Sequence, residues 1–452
     1  IPTDSTNVII PTGVTNYPVI STSNANTKNI SLANNTSITI NNTGKLTIKG
    51  AYTNSGSIIT NNGTLVMGGS AAGQIFPGAL GTITAMNNLE LSNTSGISLN
   101  KSFTIAGTLT PTAGAINLNN DTITLASTAL GTAKVAPVQS GASFTYTGTG
   151  RFMVQRFHPA RRAWRLMTSP LFGTGTIFET WQNNGVYTVG KDTLVTGPGP
   201  TGAAGNGLDT SQLNNPSLKS GVPITNILNT KVPLSNNTGS GADNKGYFIF
   251  IRGDRNPINT NIINSNITTL SSVGKLQIGA QNFVASATAN GFTLIGNPYA
   301  CPVNFSLLNR TNLANRFYIW DPKLNSVGGY VVIEKLTGFL PYTPTPASPG
   351  GQDSIIQSSQ AIYVQTIAAT TASLGFVESN KVATQNAGIF RPTGNFTMPP
   401  SVQSSLYVVS PDTAILADGN IVVFDDAYNN GVDIDDAIKF TNINETFGLV
   451  RN

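Results

Sequence analysis

Residues 30–70 read ISLANNTS ITINNTGK LTIKGAYTNSGS IITNNGT LVMGGS, five short apolar strands each followed by a polar turn. In most of them Ile or Leu alternates with Thr, Ser or Lys, the period of two expected of a strand with one buried face, and most turns use Asn-Asn, Asn-Gly or Thr-Gly. The texture continues to about residue 126 in LELSNTSG, ISLNKS, FTIAGT, LTPTAG, INLNND and TITLAS. Strands therefore start at Ile30, Ile38, Leu46, Ile58, Leu65, Leu89, Ile97, Phe103, Leu109, Ile116 and Ile123, roughly every six to twelve residues. A unit this short cannot bury a core alone, but stacked as a rung it gains a neighbour on either side. An antiparallel sandwich also gives regular strand spacing. Two features favour a solenoid, most naturally a right-handed parallel β-helix: the spacings are shorter than a sandwich repeat, and Asn recurs at the turns (Asn34, Asn35, Asn41, Asn42, Asn61, Asn62, Asn87, Asn88, Asn119, Asn120), where amides can ladder. The expected inward residues include Ile38, Ile40, Leu46, Ile48, Leu65, Leu89, Leu91, Ile97, Leu99, Leu109 and Leu118.

The texture changes at Gly148. Arg, Trp and Phe arrive together in GTGRFMVQRFHPARRAWRLMTSPLF, followed by longer strands such as GYFIFIR, GFTLIG, RFYIW, GGYVVIE and QAIYVQT between loops such as TGPGPTGAAGNG and TPTPASPGGQD. No sustained helical period interrupts them. The expected architecture is all-β in three parts: an Asn/Thr-rich β-solenoid over residues 1–147, a jelly-roll-like β-sandwich over 148–386, and an acidic β segment over 387–452, reached through FRPTGNFTMPP and expected to be incomplete.

Composition narrows the chemistry. The chain holds one histidine, His158, and one cysteine, Cys301, which excludes a histidine pair on a metal, a thiolate cluster and an internal disulfide. Charged residues are only 10 % of the total, and small polar residues take their place, as suits an extracellular β protein. No apolar run is long enough for a membrane-spanning helix, and no basic leader opens the chain, so export with the signal peptide removed is the expectation. The net charge of +5 is uneven: from Ala387 onward three basic residues face eight acidic ones. Elsewhere the positive charge is dilute, with no Arg before Arg151, so nucleic acid is not an expected partner.

Several blocks, in order, resemble the type IX-secreted, adhesin-like surface proteins of the Bacteroidota. They are NVIIPTGVTNYPVI near the start, RFHPARRAWRLMTSP, KGYFIFIRGDRN, FTLIGNPYACPVNF, RFYIWDP, GGYVV, IQSSQAIYV, and FTNINETFGLVRN at the end. The resemblance implies export across the outer membrane and attachment to, or release from, the cell surface, and it supplies no catalytic residues.

Five features were weighed as sites. Arg252-Gly253-Asp254 spells an integrin-type tripeptide, but it ends the apolar strand YFIFI and reads better as a turn. Arg151, Arg156, Arg161, Arg162 and Arg165, with His158 and Trp164, have the chemistry for an anionic glycan or phosphate, against a packing role. The run FDDAYNNGVDIDDAIKF places Asp425, Asp426, Asp433 and Asp435 close enough to be calcium ligands, with a solvated hairpin as the plainer reading. Ser5, Thr122, Thr193, Ser354 and Thr413 each follow Asp, in the pattern of the Bacteroidota O-glycosylation acceptor, whereas N-x-S/T sequons such as Asn35 and Asn304 are expected by chance. Trp164, Trp181 and Trp320, with Tyr299 and Tyr330, are candidate glycan contacts if they form an exposed row.

No nucleophile, zinc or phosphate-loop signature is present, so the expected role is non-enzymatic: a structural or adhesive surface protein that meets surface glycans or host and environmental surfaces. A carbohydrate-binding module or glycosidase in the central sandwich is the alternative, since a glycosidase needs only two carboxylates. At the start of the chain, self-capping of the first rung is the leading expectation, with self-association as the alternative. Residues 1–29 offer an extended segment with Val8, Ile9, Ile10, Val19 and Ile20 and no amphipathic helix to act as a lid, so they either cap the first rung or pair with a neighbouring subunit.

Overall fold

The computed structural model describes the chain except residues 1, 78–81, 199–203, 211–215, 236–243, 258–264, 325–327, 336–341, 384–399, 411–412, 425–430, 433–435, 441–446 and 448–452. It is 48 % strand and 4 % helix, all-β as the pattern predicts. Two compact units are present, Ile1–Phe157 with Ser271–Gly279 and Tyr299–Cys301, and His158–Leu270 with Ala280–Pro298 and Pro302–Asn452.

The first unit is a β-solenoid of about 6 turns over residues 7–135. Its longest sheet takes one strand from each turn: Ala25–Thr27, Lys45–Ile48, Thr64–Met67, Asn88–Leu91, Thr108–Pro111 and Lys134–Val135. All five pairings are parallel. Their register stacks like on like, Ala25 on Leu46, Leu65, Leu89, Leu109 and Val135, with Ile48, Met67, Leu91 and Pro111 forming a second column. Because side chains alternate across a strand, fixing one column fixes the other on the same inner face. All eleven of the expected inward residues are buried, from Ile38 to Leu118.

Asparagine closes the turns in two ways. Asn35, Asn62 and Asn119 adopt left-handed backbone, with φ of 57°, 60° and 49°, which asparagine tolerates better than other non-glycine residues. Others bridge successive rungs, Asn29 Nδ2 donating to Asn7 Oδ1 at 2.8 Å and Asn87 Nδ2 to Asn62 Oδ1 at 2.6 Å. Buried polar groups inside the coil are also served: Gln74 Nε2 donates to Gly50 O at 2.8 Å, and Asn93 Nδ2 donates to Gln74 Oε1 at 3.0 Å.

The first compact unit continues beyond the solenoid to Phe157. Arg151–His158 pairs in parallel with Thr122–Leu125, putting Phe152 beside Ile123 and Val154 beside Leu125. Phe152 and Val154 are buried and continue the inward alternation, while Arg151 and Arg156, which flank them, mark a change of composition rather than of fold. Two later segments join the same unit. Leu276 N donates to Tyr146 Oη at 3.0 Å, Lys275 lies over the Tyr146 ring, and Val135 N donates to Ala300 O at 2.8 Å.

The second unit is a layered antiparallel structure. In a four-stranded sheet of Ala163–Met167, Tyr247–Ile251, Leu218–Ser220 and Thr225–Asn226, the first two strands pack against a core on each face. Leu166 and Phe248 point to one core, shared with Tyr318, Trp320, Tyr330, Val332 and Tyr363 of a five-stranded sheet. That sheet runs Phe292–Gly296, Ala361–Thr366, Leu313–Asp321, Gly329–Lys335 and Tyr342–Thr345. Met167, Tyr247, Ile249 and Ile251 point the other way, onto Ile177, Trp181, Val195 and Leu234. A sandwich is thus present, with an additional layer on the outer face of one sheet.

Residues 387–452 do not form a compact unit of their own; their described members belong to the second unit. Ser401–Ser410 and Thr413–Val423 form a hairpin, and Ala437 and Phe440, both half-buried, then pack against the sandwich core. The acidic composition conceals this, because the two apolar residues that dock come directly after the carboxylates of Asp433, Asp435 and Asp436 in sequence.

Candidate functional site

The first rung is built from Asn7–Ile10, Val19–Ile20 and Ala25–Thr27, each the terminal strand of its sheet. Their inner edges pair with Asn29–Leu32, Ser37–Ile40 and Lys45–Ile48. Their outer edges pair with no strand among the described residues. Ile9 is 73 % and Val19 62 % exposed on this rung, and Asp4 and Lys28 are the only charged residues before Ile30. Charged residues are a common guard for such edges, and here they are sparse.

The aromatic candidates go inward. Trp181 and Trp320 are buried, as are Tyr299 and Tyr330. Trp164 is half-buried, with Phe248 stacked on it at 4.5 Å between centroids and Lys219 over its ring at 4.9 Å. These residues therefore form no exposed sugar-stacking row: Trp181 packs on Tyr247, and Trp320 packs on Phe248 and Tyr330.

A half-buried aromatic ring packs against the same core. Phe440 sits among Phe292, Tyr318, Tyr330 and Tyr363, with centroid separations of 4.5, 4.7, 4.9 and 5.5 Å. Burial pushes the phenols of Tyr318 and Tyr330 well above their usual range. Two polar fastenings hold the segment: Arg316 Nη2 donates to Asp436 O at 3.0 Å, and Lys439 Nζ pairs with the fully buried Asp418 at 2.5 Å. Phe440→Ala removes these ring contacts and leaves a partly filled cavity, so a loss of about 2–3 kcal/mol in urea denaturation is expected, with Phe440→Leu recovering a part.

The Arg-Gly-Asp tripeptide is folded inward. Arg252 is 5 % and Asp254 0 % exposed, and Asp254 accepts from the Gly190 and Asn256 amides at 2.8 and 3.2 Å. Gly253 has φ +121°, and a Cβ there would lie 2.1 Å from Asn266 Oδ1, so glycine is required. The next residue, Arg255, forms a two-pronged pair with Asp209, at 2.9 Å from Nη1 to Oδ2 and 2.6 Å from Nη2 to Oδ1. Asp209 Oδ2 also accepts from Gln182 Nε2 and Val195 N, each at 2.8 Å. That network pins the loops of the outer layer, and no tripeptide or arginine spacing announced it: Asp209 lies 46 residues away from Arg255.

The arginine cluster disperses. Arg151 is exposed, Arg156 half-buried with burial lowering its pKa to about 10, Arg161 donates to Pro322 O, and Arg165 is buried against the Ala163 carbonyl. His158 and Cys301 are both buried. Of the glycosylation candidates, Ser5 is exposed, Thr122 and Ser354 are half-buried, and Thr413 starts a hairpin strand. Thr193 is fully buried, with its hydroxyl donating to Gly253 O at 3.0 Å, and so has no room for a sugar on the folded chain. Asp425, Asp426, Asp433 and Asp435 lie outside the described residues, among which no group of three or more His, Cys, Asp or Glu side chains is placed to hold a metal ion. No helix among them is long and apolar enough to cross a membrane. No protein-family model, curated protein or solved structure matches this chain, so its function must be argued from the open first rung, the closed aromatic core and the arginines of the second unit.

Proposed function

We propose that this is an exported cell-surface scaffold with a structural or adhesive role, whose solenoid adds further copies at its first rung. The open outer edges of Asn7–Ile10, Val19–Ile20 and Ala25–Thr27, beside the exposed Ile9 and Val19, support this most directly. Three parallel edges in one plane present backbone donors and acceptors to any strand that approaches, and little charge opposes a second copy. The uncharged surface and the resemblance to surface proteins of the Bacteroidota are in keeping with it. The inward packing of Trp181 and Trp320 favours a scaffold over a sugar-binding face.

Light scattering tests the reading. The purified chain is expected to form oligomers at micromolar concentration, and Ile9→Lys with Val19→Lys is expected to return it to monomer without altering its far-ultraviolet spectrum. Deleting residues 1–29 is a less clean probe, because it bares the edges of the second rung. A wild-type chain that stays monomeric up to high micromolar concentration defeats the proposal.

A further inference from the structure

Among the described arginines, Arg252 stands out because its surroundings leave its buried donors unmet. It is 5 % exposed, yet its Nε and Nη1 have no hydrogen-bond partner. Burial, and next the like charge of Arg162, lower its pKa to about 10 against the opposing pull of the Asp209 carboxylate, so it remains protonated at neutral pH. Its guanidinium lies 4.9 Å from the centroid of Phe250, and that of Arg162 lies 5.8 Å from the same ring. A ring face offsets part of the desolvation of a cation but accepts none of its in-plane N–H bonds. Buried guanidinium groups ordinarily sit opposite a carboxylate, as Arg255 does opposite Asp209.

We propose that Arg252, Arg162 and the ring of Phe250 form a binding site for an oxyanion with two or more acceptor oxygens, a carboxylate or a sulfate group. Such a group supplies the in-plane acceptors that Nε and Nη1 of Arg252 lack, and guanidinium is suited to it. Phe250 and Arg162 are half-buried, so the site lies at the surface margin of its sheet rather than in a closed core. The proposal is independent of the scaffold reading; a free inorganic anion and an acidic saccharide present the same chemistry.

Two probes at matched ionic strength separate these sources: sodium sulfate and trigalacturonate, each titrated in the low millimolar range into the whole chain in chloride buffer. A saturable rise in melting temperature is expected for the wild type, with affinity reduced about tenfold or more in Arg252→Met and less in Arg162→Gln. Arg151→Gln, an exposed arginine elsewhere, should titrate like the wild type. A response to trigalacturonate alone assigns the oxyanion to a saccharide, and a response to sulfate assigns it to a free anion. Without probe, Arg252→Met should melt at or above the wild-type temperature, because it removes a buried cation whose Nε and Nη1 donors are unmet. Equal titration of wild type and Arg252→Met, no response to either probe, or a lower melting temperature of Arg252→Met in plain chloride buffer would each overturn the site. Arg252→Lys, which keeps the charge and loses the fork, is expected to bind more weakly than the wild type while melting close to it.

Discussion

Leu91→Asp is expected to unfold the solenoid as a whole rather than locally. Leu91 is fully buried, stacked in register between Met67 and Pro111. An unpaired carboxylate at that position costs several kcal/mol, about the whole stability margin of a domain. Rungs are stabilised only by their neighbours, so a break in the fourth strand of a six-stranded sheet strands the turns on either side of it. Circular dichroism should show the loss of one melting transition, and limited proteolysis should cut within residues 7–135 while sparing the second unit. Leu91→Ala, which leaves a cavity but no charge, should cost about 2–4 kcal/mol and keep the transition. A Leu91→Asp chain that melts like the wild type would mean that this column is not the core.

Asp209→Ala should have the next largest effect, on the second unit. The substitution leaves the buried Arg255 guanidinium, the Gln182 amide and the Val195 N–H without their shared acceptor. Removing one partner of such a pair costs about 3 kcal/mol or more, chiefly because the remaining charge stays desolvated. Since Asp209 is only partly screened from water, with 15 % of its side chain exposed, the lower end of that range is expected. Urea denaturation followed by tryptophan fluorescence suits the measurement, as Trp181 lies in the core beside this network. The double variant Asp209→Leu with Arg255→Met, which removes both charges together, should regain most of the loss. If the single and double variants are equally unstable, the deficit arises from packing and not from the orphaned charge.

The solenoid was legible from its residues because each rung repeats one physical problem, a short strand needing a neighbour, and answers it with the same alternation and the same Asn turns. Leu46, Leu65, Leu89 and Leu109 recur in the sequence as they recur in space. The second unit has no such repeat. Its key contacts join Arg255 to Asp209 and Phe440 to Tyr318, pairs whose separation in sequence carries no period. Trp181 and Trp320 look alike in sequence whether they line a groove or fill a core, since an aromatic at a strand or helix end serves both. The Arg252-Gly253-Asp254 tripeptide reads as a turn in the sequence, but the burial of Arg252 with its Nε and Nη1 donors unmet carries no signal there.

The inner leucine column has a consequence for how such a protein changes length over generations. Its successive members, Ala25, Leu46, Leu65, Leu89, Leu109 and Val135, are 21, 19, 24, 20 and 26 residues apart, yet they stack without a slip. The column is therefore blind to the size of the turns, which absorb insertions at the rim. Duplication or loss of one whole rung leaves every remaining neighbour relation intact and moves the two ends of the coil by one strand spacing, about 4.8 Å. Genes for chains of this kind can tune the reach of the coil in fixed increments, each costing some twenty codons and no redesign of the interior.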